Sequence, residues 1–325
     1  MKNHLLKRLG LGLLAAMLAC SEVSMAQDYP NKPVRIVAPF APGGAVDILA
    51  RIISERLSLQ YGQNVIVDNK PGASGHLGAQ LVAKSPGDGY TLVLGTIGIH
   101  AAFASYSKLT YKPNTELQPV LVIGEAPNVV LVPANSKYRT FAEFLTEART
   151  NPGKINYASA GAGSSVHMVT ELFQLAIGQR MNHVPYKGSG PALIDLISGQ
   201  VDVMFDNMSS GMPLVQSGKL RVLALTGPKR DPRLPDVPTI AESGVPGYSG
   251  TSWFTLAAPA SMPAILVEKL NRDVHRVLTS PEVAARYDKL GITYTPNTPE
   301  QAAAYFNSET VKWNRVIEAA KLQLD

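Results

Sequence analysis

The groups in this chain best placed to do chemistry sit in glycine-rich turns that lead into helices. Phe40-Ala41-Pro42-Gly43-Gly44 follows an apolar run at 34–38 and precedes Asp47 and an amphipathic segment. Ala160-Gly161-Ala162-Gly163-Ser164-Ser165 follows residues 155–159 and precedes His167. Gly72-Ala73-Ser74 lies in a third such turn, and Tyr186-Lys187-Gly188-Ser189-Gly190 forms a fourth loop. The start of a helix carries unpaired N–H donors and a partial positive charge, so it receives an anion without needing a cation. Asp47 either balances that charge or orients the glycine turn. Ser164 and Ser165 suit helix capping, and as hydroxyl donors they could also hold a carboxylate. His167 falls in the first turn of its helix, where its imidazole could touch a ligand or fix a loop. Asp206 and Asn207 end the run 201–205 at the same edge.

Catalysis is poorly supported by these residues. Ser165, His167 and Asp206 have the types of a hydrolytic triad, but no Gly-x-Ser-x-Gly elbow is present. Ser165 and His167 are two apart on one helix and point to different faces. Gly161-Ala162-Gly163 opens like a dinucleotide fingerprint. Val166 stands where its third glycine belongs, and Asn182 rather than an acid ends the following strand. The six histidines show no paired metal spacing such as His-x-x-x-His. Binding without a cofactor or a metal is the reading that remains.

The elements that must position these turns alternate along the chain. Short β-branched runs at 34–38, 65–67, 91–94, 129–132, 155–159, 201–205 and 220–226 read as strands. Helical periodicity falls at 46–59, 141–149, 166–177, 192–197, 264–278 and 301–320. In the first of these Val46, Leu49, Ala50, Ile53 and Leu57 follow the i, i+3, i+4, i+7 pattern. Strand–helix alternation predicts an α/β fold of mostly parallel sheets, whose ligands lie beyond the strand C-termini, where these turns are. Length predicts two domains. Breaks near Gly124-Glu125-Ala126-Pro127 and Gly250-Thr251-Ser252-Trp253-Phe254 divide residues 27–124 plus 251–325 from residues 125–250.

The first 26 residues read as a secretory signal. Lys2, Lys7 and Arg8 precede a short apolar run, and Ser24-Met25-Ala26 offers a cleavage site before Gln27. The run is too short to span a membrane. Cys20 is the only cysteine; lipid attachment there is the lesser alternative, because Leu18 is large for a lipoprotein signal. Cleavage after Ala26 leaves no thiol chemistry. The net charge of +5 becomes milder once the signal is removed. No Lys/Arg run suggests a nucleic-acid patch.

Many blocks of the chain, in order, resemble the Bug or TctC-like extracytoplasmic solute receptors, the substrate-binding proteins of tripartite tricarboxylate transporters. They include Tyr29-Pro30, the Pro-Phe-x-Pro-Gly-Gly-x-x-Asp pattern at 39–47, Asn69 to Gly78, and Pro86-Gly87-Asp88-Gly89-Tyr90-Thr91-Leu92. Pro152 to Ser159, His183-Val184-Pro185-Tyr186-Lys187-Gly188, Gly199-Gln200-Val201-Asp202, Leu234 to Glu242 and Trp253-Phe254 continue the match. The resemblance implies a periplasmic, type II-like Venus-flytrap protein that is not an enzyme. Its two domains would close over a two-strand hinge, and it would pass a small carboxylate to a two-component integral membrane transporter. It also implies that the carboxylate is held by backbone groups and waters rather than by arginine. Phe40, Ala41, Pro42, Gly43, Gly44 and Asp47 would form one jaw, and Ala160 to Ser165, His167 and Asp206 the other. Gly72, Ala73 and Ser74 would sit at the mouth. A monomer is expected. Val46, Ser74, His76 and Thr255 depart from the usual pattern, so ligand identity does not transfer. A sensing subunit for a signalling receptor and a secreted hydrolase are the competing readings.

Overall fold

The computed structural model describes residues 29–324; the signal segment lies outside them. Nine strands run in chain order: β1 (Val34–Ala38), β2 (Val65–Asn69), β3 (Thr91–Thr96), β4 (Leu117–Pro133), β5 (Asn156–Ser159), β6 (Asn182–Pro185), β7 (Val203–Asn207), β8 (Leu220–Leu225) and β9 (Thr251–Pro259). The helices are α1 (Ala45–Tyr61), α2 (His76–Ala83), α3 (Ile97–His100), α4 (Pro113–Glu116), α5 (Phe141–Thr150) and α6 (Ser165–Ile177), then α7 (Ser189–Ser198), α8 (Met208–Gln216), α9 (Ala264–Leu278), α10 (Pro281–Leu290) and α11 (Pro299–Ala320).

The strands join in the order β2-β1-β3-β9-β4-β7-β5-β6, with β8 also on β4. β4 carries the chain from one half of this curled sheet to the other. Its residues 117–127 pair antiparallel with β9, and residues 128–133 pair with β7 and β8. The outer pairings, β1 with β2 and β3, and β5 with β6 and β7, are parallel. Parallel outer strands arise because each returns through a helix, whereas β4 and β9 meet as long antiparallel neighbours. β9 reaches the boundary between the halves at Thr251, beside Pro127.

The helices follow from local chemistry. In α1 the apolar stripe is buried, and Gly62 ends the helix at φ +62°. Thr140 and Glu143 form a reciprocal capping box on α5, as do Thr298 and Gln301 on α11. Three apolar clusters result among the described residues, and two of them draw on both halves of the sheet. One joins Ile36 and Leu256 to Ala158 and Val166. The other joins Trp253 and Trp313 to Phe144, Phe173 and Phe205. The halves are therefore packed against each other. α11 adds a further tie, because Arg180 donates to the Ala320 carbonyl at 3.0 Å.

Candidate functional site

Several helices begin in the cleft between the halves. Phe40, Gly44, Ala45 and Val46 bring the start of α1, and Ala160, Ser164 and Ser165 that of α6. Ser189 opens α7, Asn207 precedes α8, and Thr96 ends β3. Together these ten residues enclose a cavity of about 20 Å³, and none of them is ionisable. Its field comes from the helix starts α1, α6, α7 and α8, which present N–H donors and partial positive charge. The volume is that of one or two waters.

Both glycine turns are tied by the same device. Gly43 lies at φ +87° and Gly163 at φ +83°, conformations that suit glycine. Gly43 donates its amide proton to Asp47 Oδ2 at 3.1 Å, and Gly163 donates to His167 Nδ1 at 2.9 Å. In each case a side chain four residues on, one turn into the helix, accepts from the glycine. Arg51 donates to Asp47 Oδ1 at 2.9 Å, and Asn69 Nδ2 donates to Asp47 Oδ1 at 3.0 Å and to the Phe40 carbonyl at 3.1 Å. Burial alone would raise the Asp47 pKa, but the bonds from Arg51, Asn69 and Gly43 outweigh it and hold the group below the usual range. His167 stacks on His183 with ring centroids 4.1 Å apart. Burial, aided by nearby Arg180, pushes His167 down to about 4, so it is neutral and accepts through Nδ1. Asp47 and His167 thus shape the turns from behind and do not line the cavity.

Asp206 has a comparable role on the third side. It is fully buried and accepts the hydroxyls of Ser189 and Ser210, each at 2.6 Å. Burial raises its pKa to about 6 against the lowering effect of these bonds. Among the described contacts none links Ser165, His167 and Asp206 into a relay: His167 is engaged by Gly163 and Asp206 by the two serines.

The remaining residues singled out from sequence lie where the halves touch. Ala41 donates its amide proton to the Lys187 carbonyl at 2.8 Å. Pro42 and Gly43 face Gly190, where a Cβ would fall 2.2 Å from the Pro42 carbonyl oxygen. The hydroxyls of Ser74 and Tyr106 both donate to the Ala162 carbonyl. Gly72, Ala73 and Ser74 all have positive φ, which turns the loop toward that carbonyl. Gly161 packs against Ser74, and Gly163 against Tyr106.

The cavity also holds residues that sequence reasoning passed over or left as edge-loop members. Thr96 and Asn207 are the residues before α3 and α8, yet neither side chain caps its helix. Thr96 Oγ1 and Asn207 Oδ1 are buried without a hydrogen-bond partner. Thr96 belongs to no recognisable motif. The sequence signals for Asn207 and Ser189 are a polar residue at a strand end and one in a glycine loop.

Comparison with known proteins places this architecture. Residues 49–322 match the model of the tripartite tricarboxylate transporter family receptor, TctC. The protein BugT of Bordetella pertussis is 33% identical over 316 residues, covering 97% of this chain and 97% of the relative. A solved structure described as R. palustris Rpa4515 with adipate is 39% identical at TM-score 0.88, covering 91% of this chain and 99% of that one. MatC (Rpa3494) from Rhodopseudomonas palustris, solved with bound malate, is 33% identical at TM-score 0.84, covering 89% and 100%. With both its sequence and its curled, two-halved sheet matched along nearly their whole length, this chain belongs to the TctC, or Bug, family of solute receptors.

Proposed function

We propose that this protein captures a small dicarboxylate in the cavity between the two halves and hands it to a tripartite tricarboxylate-type membrane transporter. The observation that carries this reading is the convergence of four helix starts on a cavity without an ionisable side chain. Such a surface attracts an anion and lets it go again, as a receptor must. Residues 27–124 with 251–325 form one domain and 125–250 the other, and they hinge where the chain crosses at β4 and before β9. The contacts Ala41–Lys187 and Ser74–Ala162 exist only when the domains meet, so a ligand touching both domains favours the closed form. The transporter reads that form. Adipate and malate, held by two relatives, set the size expected of the ligand. The setting is the periplasm, reached through the signal at residues 1–26. Among the described residues no helix is long and apolar enough to cross a membrane.

Thermal melting of the purified protein with a panel of C4 to C6 dicarboxylates tests the reading. A concentration-dependent rise in Tm is expected. No rise with any dicarboxylate, or steady turnover of an ester or amide lost in Ser165→Ala, would overturn it.

A further inference from the structure

A cavity of about 420 Å³ lies where β4 crosses between the halves, and it shares no residue with the cleft cavity. That volume is ordinary for a pocket holding a small organic molecule. β4 contributes Val122 and Glu125, the segment after α10 contributes Thr293 and Asn297, and α11 contributes Tyr305. The backbone of these walls is already spent. Glu125 and Thr293 exchange both backbone bonds, at 2.9 and 2.8 Å. The Asn297 side chain accepts from the Val122 N–H and donates to the Val122 carbonyl, each at 2.9 Å. The start of α11 is closed by its capping box, and Glu300 in its first turn offsets its partial charge. Thr293, Thr295 and Gln301 sit on the exposed rim, where water serves their polar atoms. What remains inside is the carboxylate of half-buried Glu125, with the Tyr305 ring beside it. Burial, and then the charge of Glu125, push the Tyr305 hydroxyl up, so it stays a neutral phenol. No lysine, arginine or histidine lines the pocket.

We propose that this pocket at the crossing is a second binding site, and that it takes a small organic cation, an ammonium carried on a compact apolar body. The ammonium pairs with Glu125 and lies against an aromatic ring, two attractions that act on the same charge. Val122, Pro296 and the Tyr305 ring offer apolar surface to the body. A carboxylate would meet the one charge present as a like charge, so the pocket and the cleft take ligands of opposite sign. A bare metal ion would find a single carboxylate, because among the described residues no group of three acidic, histidine or cysteine side chains could hold one.

Benzylamine and benzyl alcohol share one apolar body and differ by an ammonium against a hydroxyl. Calorimetric titration of the purified protein at pH 7.5, in phosphate buffer free of other amines, is expected to show saturable benzylamine binding at one site per chain. Benzyl alcohol should bind about tenfold more weakly or worse. Glu125→Gln keeps the backbone bridge to Thr293 and removes the charge, so benzylamine affinity should fall about tenfold. Should that variant fail to fold, Thr295→Lys, at an exposed position, tethers an ammonium in the pocket and should exclude benzylamine. No benzylamine binding at millimolar concentration, benzyl alcohol bound equally well, or an unchanged affinity in either folded variant overturns the proposal. Each of these results leaves a dicarboxylate receptor intact.

Discussion

Asp47 Oδ2 accepts the amide proton of Gly43 at 3.1 Å. On the other side of the cleft His167 Nδ1 does the same for Gly163. One acceptor is a carboxylate paired with Arg51 and the other a neutral imidazole, yet the backbone they hold is alike. Each ties the turn glycine's N–H back to the first turn of the helix that follows. Asp47→Ala should lose about 1–3 kcal/mol of stability and about tenfold in dicarboxylate affinity. Asp47→Asn keeps an acceptor and should fall between the two. Denaturant melts and calorimetry on the three proteins test that order.

The acid side of the stability profile follows from the buried imidazoles. Burial pushes His76 and His167 down to about 4, and His100 and His183 to about 3. A histidine lowered in the folded state contributes stability that is present above its unfolded pKa, near 6.5, and is lost as pH falls toward the folded value. Asp206 has the opposite sign. Raised to about 6, it contributes stability below its unfolded pKa, about 3.8, and loses it as pH rises through 6. Unfolding free energy should therefore decline from pH 6.5 to pH 4, and decline more steeply in Asp206→Asn. A flat profile over that window would contradict the buried, neutral state of these rings.

Closure itself has a clean steric probe. Gly190 lies in α7, where alanine suits the helix. Its Cβ, however, would meet the Pro42 carbonyl oxygen across the cleft at 2.2 Å. Gly190→Ala should fold normally, scatter X-rays as a more open particle, and bind dicarboxylate about tenfold or more weakly. The hydroxyls on the Ala162 carbonyl act in the other direction. Tyr106→Phe should weaken binding only about fivefold, the worth of one hydrogen bond, and mainly through faster release seen in stopped-flow.

Both tryptophans of the protein bond to one carboxylate. Trp253 Nε1 and Trp313 Nε1 each donate to Glu309 Oε2 at 2.8 Å. Trp253 lies on β9 opposite Glu125 of β4, close to where the chain crosses between the halves. With Trp313→Phe isolating it, Trp253 emission should change on addition of a bound dicarboxylate. A constant spectrum alongside proven binding would move the hinge elsewhere.

Much of this molecule is legible in its sequence, for definite reasons. The strands leading into the glycine turns are short apolar runs, and the helices α1, α6 and α9 carry strong periodicity. The sequence shows β4 only at 129–132, because Pro119, Gly124 and Pro127 look like breaks although they lie within a long antiparallel strand. β9 is legible only as a crossing, since a strand buried on both faces shows no alternation. α8 is hidden because Gly211 and Pro213 interrupt its pattern. Within the site, the turn residues are visible as motifs. The bond from Ser189 to Asp206, and the withheld caps of Thr96 and Asn207, depend on where separate strand ends meet, which no local spacing encodes.

The central claim, that the cavity between the helix starts binds a dicarboxylate, is tested most directly by calorimetric titration of the purified protein with malate and adipate. The account predicts saturable binding of at least one of them, at one site per chain. No heat from either acid at millimolar concentration, with an unchanged melting temperature, would contradict it.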